Sequence, residues 1–224
     1  MSFIVLADGI NALPLATSQD YKRLKDDDKG PNTGGMGAIS PAPGDNPYLQ
    51  ERIMEKVIYP ALRGMASMNT PFRGFLYAGL MIDDNDEISV LEFNCRLGDP
   101  ETQAILPRLQ NDLYPVLLAA ANGDLFGHPP LSWNSQHATA VVLAAAGYPQ
   151  KPRSGDVIHL PTDDSLIFHA GTETDEDGVA RTAGGRVLSV VGLGDTPDES
   201  RNRAQEAARK VEFEGVQYRR DIGK

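Results

Sequence analysis

The sequence predicts an α+β protein, in which antiparallel strands and helices are followed by a smaller, mostly-β region. Three patterns support this class. Side chains of different character alternate from Ile88 to Asn94, as expected for a β-strand. Apolar residues recur at helical spacing between Asn46 and Met65. From His137 onward the pattern changes to short strands that end in one capped helix. We therefore predict a first domain over residues 1–125, a linker over 126–136 and a small C-terminal β-rich domain over 137–224.

Composition narrows the class of protein. The chain has 224 residues, 41% of them apolar and 23% charged, which is typical of a soluble globular protein. The net charge of −10 argues against a nucleic-acid partner. No apolar run is long enough to span a bilayer, and no signal peptide is visible, so we expect no membrane partner. The single cysteine, Cys95, excludes an internal disulfide and fits a cytoplasmic location.

The first elements are read as a hairpin followed by a polar segment. Residues 3–7 and 12–16 form two apolar runs joined at Asp8-Gly9, and Asp-Gly between apolar runs favours a tight turn. Asp8 is therefore predicted to be a turn residue rather than a ligand. Residues 25–29 are predicted to form a charged loop.

A glycine-rich stretch follows, from Gly30 to Gly37. It is not a Walker A loop, because no lysine follows the glycines. Backbone N–H groups in such a loop can form an anion-binding nest, but the same composition also suits a plain surface loop. The residues by themselves leave both interpretations open.

A helix and a strand pair are predicted next. The helix covers residues 46–65, with Pro47 in its first turn, and Pro60 is expected to kink or split it. Residues 75–82 are predicted to pair antiparallel with residues 88–94 through the acidic turn at 83–86.

The remaining elements are shorter. Residues 100–109 and 112–122 are predicted to be consecutive helices, broken near Pro107 and Pro115. A capping box at Thr196 is predicted to open a helix that runs to about Val211. Short strands are predicted at 138–145, 156–160, 166–170 and 185–192.

Candidate chemistry lies at the end of the strand 88–94. Because side chains at i and i+2 share a face, one face is expected to carry Ile88, Val90, Glu92 and Asn94. The oxygens of Glu92 and Asn94 suit a hard cation such as Mg²⁺, which proteins usually hold with one or two carboxylates plus the phosphates of a substrate. Arg96 follows them, so the strand end suits phosphoryl chemistry. The alternative is a solvated strand edge. Cys95 should point to the opposite face and be buried.

The longer motifs resemble one family. The string EFNCRLGDPETQ begins at Glu92, and further matching strings occur in the family's order. These strings are TSQDYKR from Thr17, GPNTGGMGA from Gly30, SPAP from Ser40, GFLYAGLM from Gly74 and YRRDIG from Tyr218. Together they resemble the phosphoribosylamine–glycine ligases (glycinamide ribonucleotide synthetases), which are ATP-grasp enzymes of purine biosynthesis. The resemblance covers essentially the whole chain but only about the C-terminal half of a usual member. It departs at Tyr21, where the family usually has histidine.

The resemblance implies a fold, a reaction and a set of site residues. The fold would be the C-terminal half of an ATP-grasp fold followed by a small β-rich domain. The reaction would join glycine to 5-phosphoribosylamine with ATP, through an acyl phosphate. Mg²⁺ or Mn²⁺ would be held by Glu92 and Asn94, and Arg96 would be catalytic and bind an anionic substrate. The further substrate-binding residues implied are Asn32, Thr33, Gly34, Gly35, Met36, Asp99 and Glu101.

The partners implied are ATP, glycine, phosphoribosylamine and the missing N-terminal half of the enzyme. In the family, the nucleotide-covering lysines lie in that half, so we expect the chain alone to be inactive and prone to self-association. A non-catalytic module that binds a nucleotide or phosphosugar is the alternative. A different ATP-grasp carboxylate–amine ligase is disfavoured by the string from Asn94 to Glu101.

Overall fold

The computed structural model describes residues 1–83 and 85–224, which form two compact units. Unit 1 comprises Met1–Gln19, Pro41–Gly98 and Arg108–Asn134, and unit 2 comprises Asp20–Ser40, Asp99–Pro107 and Ser135–Lys224. The units interleave along the sequence instead of following one another. The domain limits 1–125, 126–136 and 137–224 stay a prediction.

The strands are β1 (Ser2–Asp8), β2 (Ala12–Pro14), β3 (Gln19–Asp20), β4 (Arg23–Lys25), β5 (Lys29–Asn32), β6 (Gly37–Ser40), β7 (Arg73–Ile82), β8 (Ile88–Asn94), β9 (His137–Ala144), β10 (Leu166–His169), β11 (Thr172–Thr174), β12 (Ala180–Thr182) and β13 (Arg186–Gly194). The helices are α1 (Pro47–Ile53), α2 (Tyr59–Ser67), α3 (Glu101–Ile105), α4 (Leu113–Asn122) and α5 (Pro197–Lys210). A π-helical turn, Met54–Ile58, joins α1 to α2, and a 3₁₀ turn, Leu106–Arg108, follows α3. None of the helices in the described residues is long and apolar enough to cross a membrane.

Unit 1 is built on a sheet with the strand order β2-β1-β7-β8. The β1–β2 hairpin confirms the predicted turn at Asp8, whose carboxylate accepts hydrogen bonds from the backbone N–H groups of Ile10 (2.9 Å), Asn11 (2.6 Å) and Leu125 (2.9 Å). Burial acts to raise the pKa of Asp8, but these hydrogen bonds outweigh it and the pKa is lowered. Asp8 is therefore a structural anion of the turn.

The predicted long helix is split where Pro60 requires it. Asn46 caps α1 by accepting from the backbone N–H of Leu49 at 2.9 Å. The π-helical turn lies directly before Pro60, and Tyr59 N–H donates to the carbonyl of Met54. The apolar face of these helical segments packs on one side of the sheet and forms the core of the unit. This core includes Leu49, Ile53, Ile58 and Leu62 from the helices and Phe3, Val5, Leu76 and Ala78 from the strands.

Two helix predictions need correction. The helix predicted over 100–109 is short, because α3 ends at Ile105 and tightens into the 3₁₀ turn that contains Pro107. Helix α4 is not broken at Pro115, because this proline lies in the first turn, where a backbone N–H has no intrahelical acceptor to lose. Asp112 caps that helix through Tyr114 N–H at 3.0 Å.

Unit 2 contains the sheet in which β10, β13, β9, β6 and β3 follow one another. Helix α5 packs on β13 and β9, and Thr196 caps it by accepting from Glu199 N–H at 3.1 Å, which confirms the predicted helix start. The strand predicted at 156–160 is wrong, because Val157 and His159 form only isolated bridges. The hairpin β11–β12 and the small sheet β4–β5, which brackets the predicted charged loop, were not predicted.

Candidate active site

The residues singled out from the sequence divide between the two units. We call Glu92, Asn94 and Arg96 the strand-end cluster, which lies in unit 1. We call residues 32–36, Asp99 and Glu101 the loop cluster, which lies in unit 2. Each cluster is built by its own unit.

A bulge in the edge strand β8 sets the direction of Glu92. In the pairing with β7, Glu92 lies opposite Gly79 and Val90 lies opposite Leu80, so Leu91 is an extra residue. The bulge shifts the alternation by one position, and Val90 and Glu92 therefore face opposite sides of the sheet. The prediction that Ile88 and Val90 share the face of Glu92 is wrong. Glu92 and Asn94 still share a face, because both follow the bulge and Asn94 lies opposite Tyr77.

The position of Glu92 depends on the glycine beneath it. A Cβ atom at Gly79 would lie 3.1 Å from Glu92 Cγ and 3.4 Å from the ring of Tyr77, so Gly79 leaves the space that the glutamate stem occupies. Tyr77 is buried, and its hydroxyl is hydrogen-bonded to Ser2 Oγ at 2.9 Å. The absence of a side chain at Gly79 therefore leaves room for both the stem of Glu92 and the ring of Tyr77.

The two oxygen donors remain available to a ligand. Glu92 is exposed and Asn94 half-buried, and across residues 1–83 and 85–224 neither side chain makes a hydrogen bond or an ion pair. Nor does this part of the chain contain a group of three or more His, Cys, Asp or Glu side chains that could enclose a metal ion. One carboxylate and one amide oxygen with open coordination fit Mg²⁺ in its phosphate-bridging form and not an all-protein cage.

The two residues directly after β8, Cys95 and Arg96, are exposed. Arg96 Nη1 donates to the carbonyl oxygen of Leu97 at 2.9 Å, which uses one of the five N–H groups of the guanidinium. Cys95 is exposed, which corrects the predicted burial: β8 ends at Asn94, so Cys95 no longer lies on a sheet face.

The backbone N–H groups of residues 33–36, which we call the glycine loop, are not available to an anion. All four N–H groups from residue 33 to residue 36 donate to acceptors within unit 2. The bonds run from Thr33 to Lys22 O (2.8 Å), from Gly34 to Tyr148 Oη (3.0 Å), from Gly35 to Thr33 Oγ1 (3.0 Å) and from Met36 to Tyr21 O (2.7 Å). The nest interpretation is therefore wrong for this conformation. Met36 is fully buried and packs with Leu24 and Ala144, so its side chain anchors the loop.

Asp99 is held by a residue that the sequence analysis missed. Its carboxylate accepts from Arg186 Nη2 at 2.9 Å and from Gln103 Nε2 at 3.2 Å. Arg186 Nη1 also donates to the carbonyl oxygens of Asp99 (2.7 Å) and Gly34 (3.0 Å). Glu101 is only 3% exposed and stands in the first turn of α3.

The comparisons with known proteins decide the family. Residues 1–102 match the model described as phosphoribosylglycinamide synthetase, ATP-grasp (A) domain, and residues 138–224 match the model of its C domain. A phosphoribosylamine–glycine ligase of Ralstonia nicotianae is 53% identical over 225 residues, covering 99% of this chain and 53% of the relative. The chain belongs to the phosphoribosylglycinamide synthetase family. It spans about half the length of the curated relatives it matches.

Solved structures agree with this family. The phosphoribosylamine–glycine ligase of Thermotoga maritima is 42% identical and superposes with a TM-score of 0.89, covering 99% of this chain and 55% of that one. The biotin carboxylase domain of the 2-oxoglutarate carboxylase of Hydrogenobacter thermophilus superposes with a TM-score of 0.65 at 17% identity, covering 97% of this chain and 46% of that one, and shares the fold alone. The predicted α+β class and ATP-grasp fold are confirmed.

The segment from Tyr218 to Gly223 contributes to a buried ion-pair network in unit 2. Arg219 is 1% exposed, and its guanidinium bonds to Asp221 at 2.7 Å and to Asp28 at 2.8 Å. Burial acts to lower the pKa of Arg219, but these hydrogen bonds outweigh it and the pKa is raised. The pKa of Asp221 is lowered to about 2, because hydrogen bonds from Arg219 and from Asp27 N–H outweigh the effect of burial.

Tyr21 lies against that network. The guanidinium of Arg219 stands over its ring, 5.2 Å from the ring centre. Burial raises the pKa of Tyr21, so the phenol stays protonated and neutral at physiological pH. The carbonyl of Tyr21 accepts from Met36 N–H at 2.7 Å, so Tyr21 also supports the glycine loop.

Proposed function

We propose that this chain is part of an ATP-dependent ligase that joins glycine to 5-phosphoribosylamine. The observation that carries the proposal is the pair Glu92 and Asn94, which share a sheet face with unengaged oxygens in the segment that matches the ATP-grasp domain. Because the chain spans about half of its relatives, the activity belongs to the whole enzyme.

Glu92 and Asn94 would hold the divalent cation, Mg²⁺ or Mn²⁺. Such an ion screens the negative charge of the ATP phosphates, and the related biotin carboxylase domain of Hydrogenobacter thermophilus was solved with the magnesium salt of ADP. Gly79 leaves space for the stem of Glu92 beside the sheet, so the carboxylate could reach the ion without displacing a side chain of β7.

Arg96 would act on the reacting anions. Its guanidinium offers a planar fork to the glycine carboxylate or to a phosphate, and so reduces the repulsion between two anions that must approach each other. The carboxylate oxygen attacks the γ-phosphorus of ATP, ADP leaves, and the amine of phosphoribosylamine then displaces phosphate from the acyl phosphate. We assign Arg96 to the first of these steps.

The loop cluster would bind the rest of the substrates. Since the N–H groups of residues 33–36 are occupied, contact would come from the exposed Asn32 and Gly34 and from the half-buried Thr33, whereas Gly35 and Met36 are buried and would only shape the loop. Asp99 would recognise the substrate amine, for which its half-exposed acceptor oxygens are suited. Glu101 is buried in the first turn of α3, which suits an acid at a helix N-terminus better than direct contact with a substrate.

The lysines that cover the nucleotide would come from an N-terminal half outside this chain. Phosphoryl transfer depends on positioning and electrostatic stabilisation, and a site that lacks its nucleotide lysines loses both. We expect no product when the purified chain is assayed with ATP, glycine and phosphoribosylamine, and turnover when the N-terminal half of a relative is added. Turnover by the chain alone would refute the assignment of those lysines. ATP binding without turnover in the mixture would favour the non-catalytic module.

The remaining assignments concern assembly and location. Val90, Leu91 and Phe93 are exposed apolar residues on the edge strand β8, which supports self-association of the isolated chain. Sedimentation velocity at rising concentration tests it, and a concentration-independent monomer would exclude it.

We propose a cytoplasmic location, consistent with the single exposed Cys95. Limited proteolysis tests the domain limits: a first cut within residues 126–136 supports them, and a first cut elsewhere contradicts them.

A further inference from the structure

We propose that Arg186 and Tyr148 are positioning residues that set the conformation of the glycine loop and its distance from Asp99. The inference deepens the proposed function, on which its kinetic test rests. It concerns two residues that lie far along the chain from the loop: Gly34 and Arg186 are 152 residues apart in sequence.

The two side chains hold both sides of one residue of the loop. The Gly34 N–H donates to Tyr148 Oη at 3.0 Å, and the Gly34 carbonyl accepts from Arg186 Nη1 at 3.0 Å. The backbone of Gly34 therefore has both its donor and its acceptor fixed by side chains from the C-terminal part of unit 2. A loop held in this way can keep one conformation before a substrate arrives.

The same guanidinium reaches the second substrate-binding segment. Arg186 donates to the carbonyl and to the carboxylate of Asp99, at 2.7 Å and 2.9 Å. One planar group thus links Gly34 to Asp99, and its rigid geometry fixes their separation. The side chain of Arg186 is 23% exposed, while that of Asp99 is 46% exposed, so the carboxylate keeps an open side for a ligand.

Glycines make this close fit possible. A Cβ atom at Gly34 would lie 3.1 Å from Arg186 Cζ, and one at Gly185 would lie 2.4 Å from the ring of Tyr148. A Cβ atom at Gly35 would lie 2.5 Å from Pro100 Cδ, in the residue after Asp99. Three glycines therefore bring the loop, the two supporting side chains and the Asp99 segment into contact.

The proposal predicts a local effect that does not require enzyme activity. In hydrogen exchange of the purified chain, Tyr148→Phe should speed exchange of the Gly34 amide, and Arg186→Ala should speed exchange across residues 33–36, each by about tenfold or more. Tyr148→Phe removes one hydroxyl and keeps the ring, so it preserves the fold. Arg181→Ala is the matched control, because Arg181 also pairs with a carboxylate, Asp175, and with a glycine carbonyl, that of Gly155.

The kinetic arm uses the chain reconstituted with the N-terminal half. Arg186→Ala should lower kcat/KM for glycine or phosphoribosylamine by about tenfold or more and leave the KM for ATP unchanged, with partial recovery in Arg186→Lys, since lysine keeps the charge but loses the fork. Arg181→Ala should match wild type. Unchanged loop exchange in both Tyr148→Phe and Arg186→Ala would overturn the proposal. If wild type shows no turnover, the proposed function fails and the exchange result still decides the positioning role.

Discussion

The strand-end cluster and the loop cluster differ in whether their polar groups already have hydrogen-bond partners within the protein. In the strand-end cluster, Glu92 and Asn94 have side-chain oxygens that no group in the described residues engages. In the loop cluster, every N–H from Thr33 to Met36 already has an acceptor in the protein, and Asp99 is paired with Arg186. The first cluster is incomplete without a ligand, whereas the second is complete before one binds.

Under the proposed function, this difference would correspond to two kinds of contribution to the reaction of the whole enzyme. A cation site needs open oxygens, because the ion itself supplies the opposite charge. A surface that orients substrates gains most from being fixed in advance, since ordering a loop during binding would cost conformational entropy. Variants in the loop cluster should therefore affect folding, and variants in the strand-end cluster should affect only chemistry.

The largest effect is expected for Gly35→Ala. Gly35 has φ of +122° and its added Cβ would lie 2.5 Å from Pro100 Cδ, so strain and overlap should together lower the free energy of unfolding by about 3 kcal/mol. Gly44→Ala is the control: it has φ of +74° with no atom within 4 Å, and should cost about 1 kcal/mol. Urea denaturation measures both. Equal losses would remove the argument that the loop is tightly built.

Glu92→Gln should show the reverse pattern. In the reconstituted enzyme at limiting Mg²⁺ it should lower turnover by about 100-fold, equivalent to about 2.7 kcal/mol, because the carboxylate charge at the cation is lost. Its free energy of unfolding should change by less than about 0.5 kcal/mol, since Glu92 is exposed and unpaired. Glu87→Gln, an exposed carboxylate before β8, is the control and should leave the Mg²⁺ dependence unchanged. A wild-type Mg²⁺ dependence in Glu92→Gln would exclude it as a ligand.

The smallest effect is expected for the buried ion pair between Asp221 and Arg219 in unit 2. The pKa of Asp221 is lowered from 3.8 to about 2, so its contribution to stability is present above pH 3.8 and is lost as the pH falls through about 2. Asp221→Asn should therefore cost about 2 kcal/mol at pH 7. The difference from wild type should shrink as the pH falls below 4. Urea denaturation at pH 7, 5 and 3 measures this, and a pH-independent difference would contradict the ion-pair account.

Local patterns predicted much of the fold. The hairpin at Asp8, the helix split before Pro60 and the capped helix at Thr196 each follow from chemistry within a few residues, and each was found. The pair Glu92 and Asn94 was also found on one face, because its i, i+2 spacing lies after the bulge.

The rest depends on contacts that are distant in sequence. The bulge at Leu91 is a property of the pairing with β7 and not of β8 alone, so the alternation of Val90 and Glu92 could not reveal it. The nest interpretation failed for a similar reason: Tyr148 supplies an acceptor to Gly34 from 114 residues away. The Gly-Gly-Arg at 184–186 was the available signal for Arg186, since glycines before a strand often mark close packing.

The most direct test of the central claim, that the strand-end cluster is an open cation site, is to add Mn²⁺ to the ¹⁵N-labelled chain and measure paramagnetic broadening of its amide resonances. Broadening is expected to be strongest around Glu92 and Asn94 and to weaken in Glu92→Gln. Broadening that persists unchanged in Glu92→Gln, or whose maximum lies away from residues 92–94, would contradict the assignment of an open cation site to the strand end.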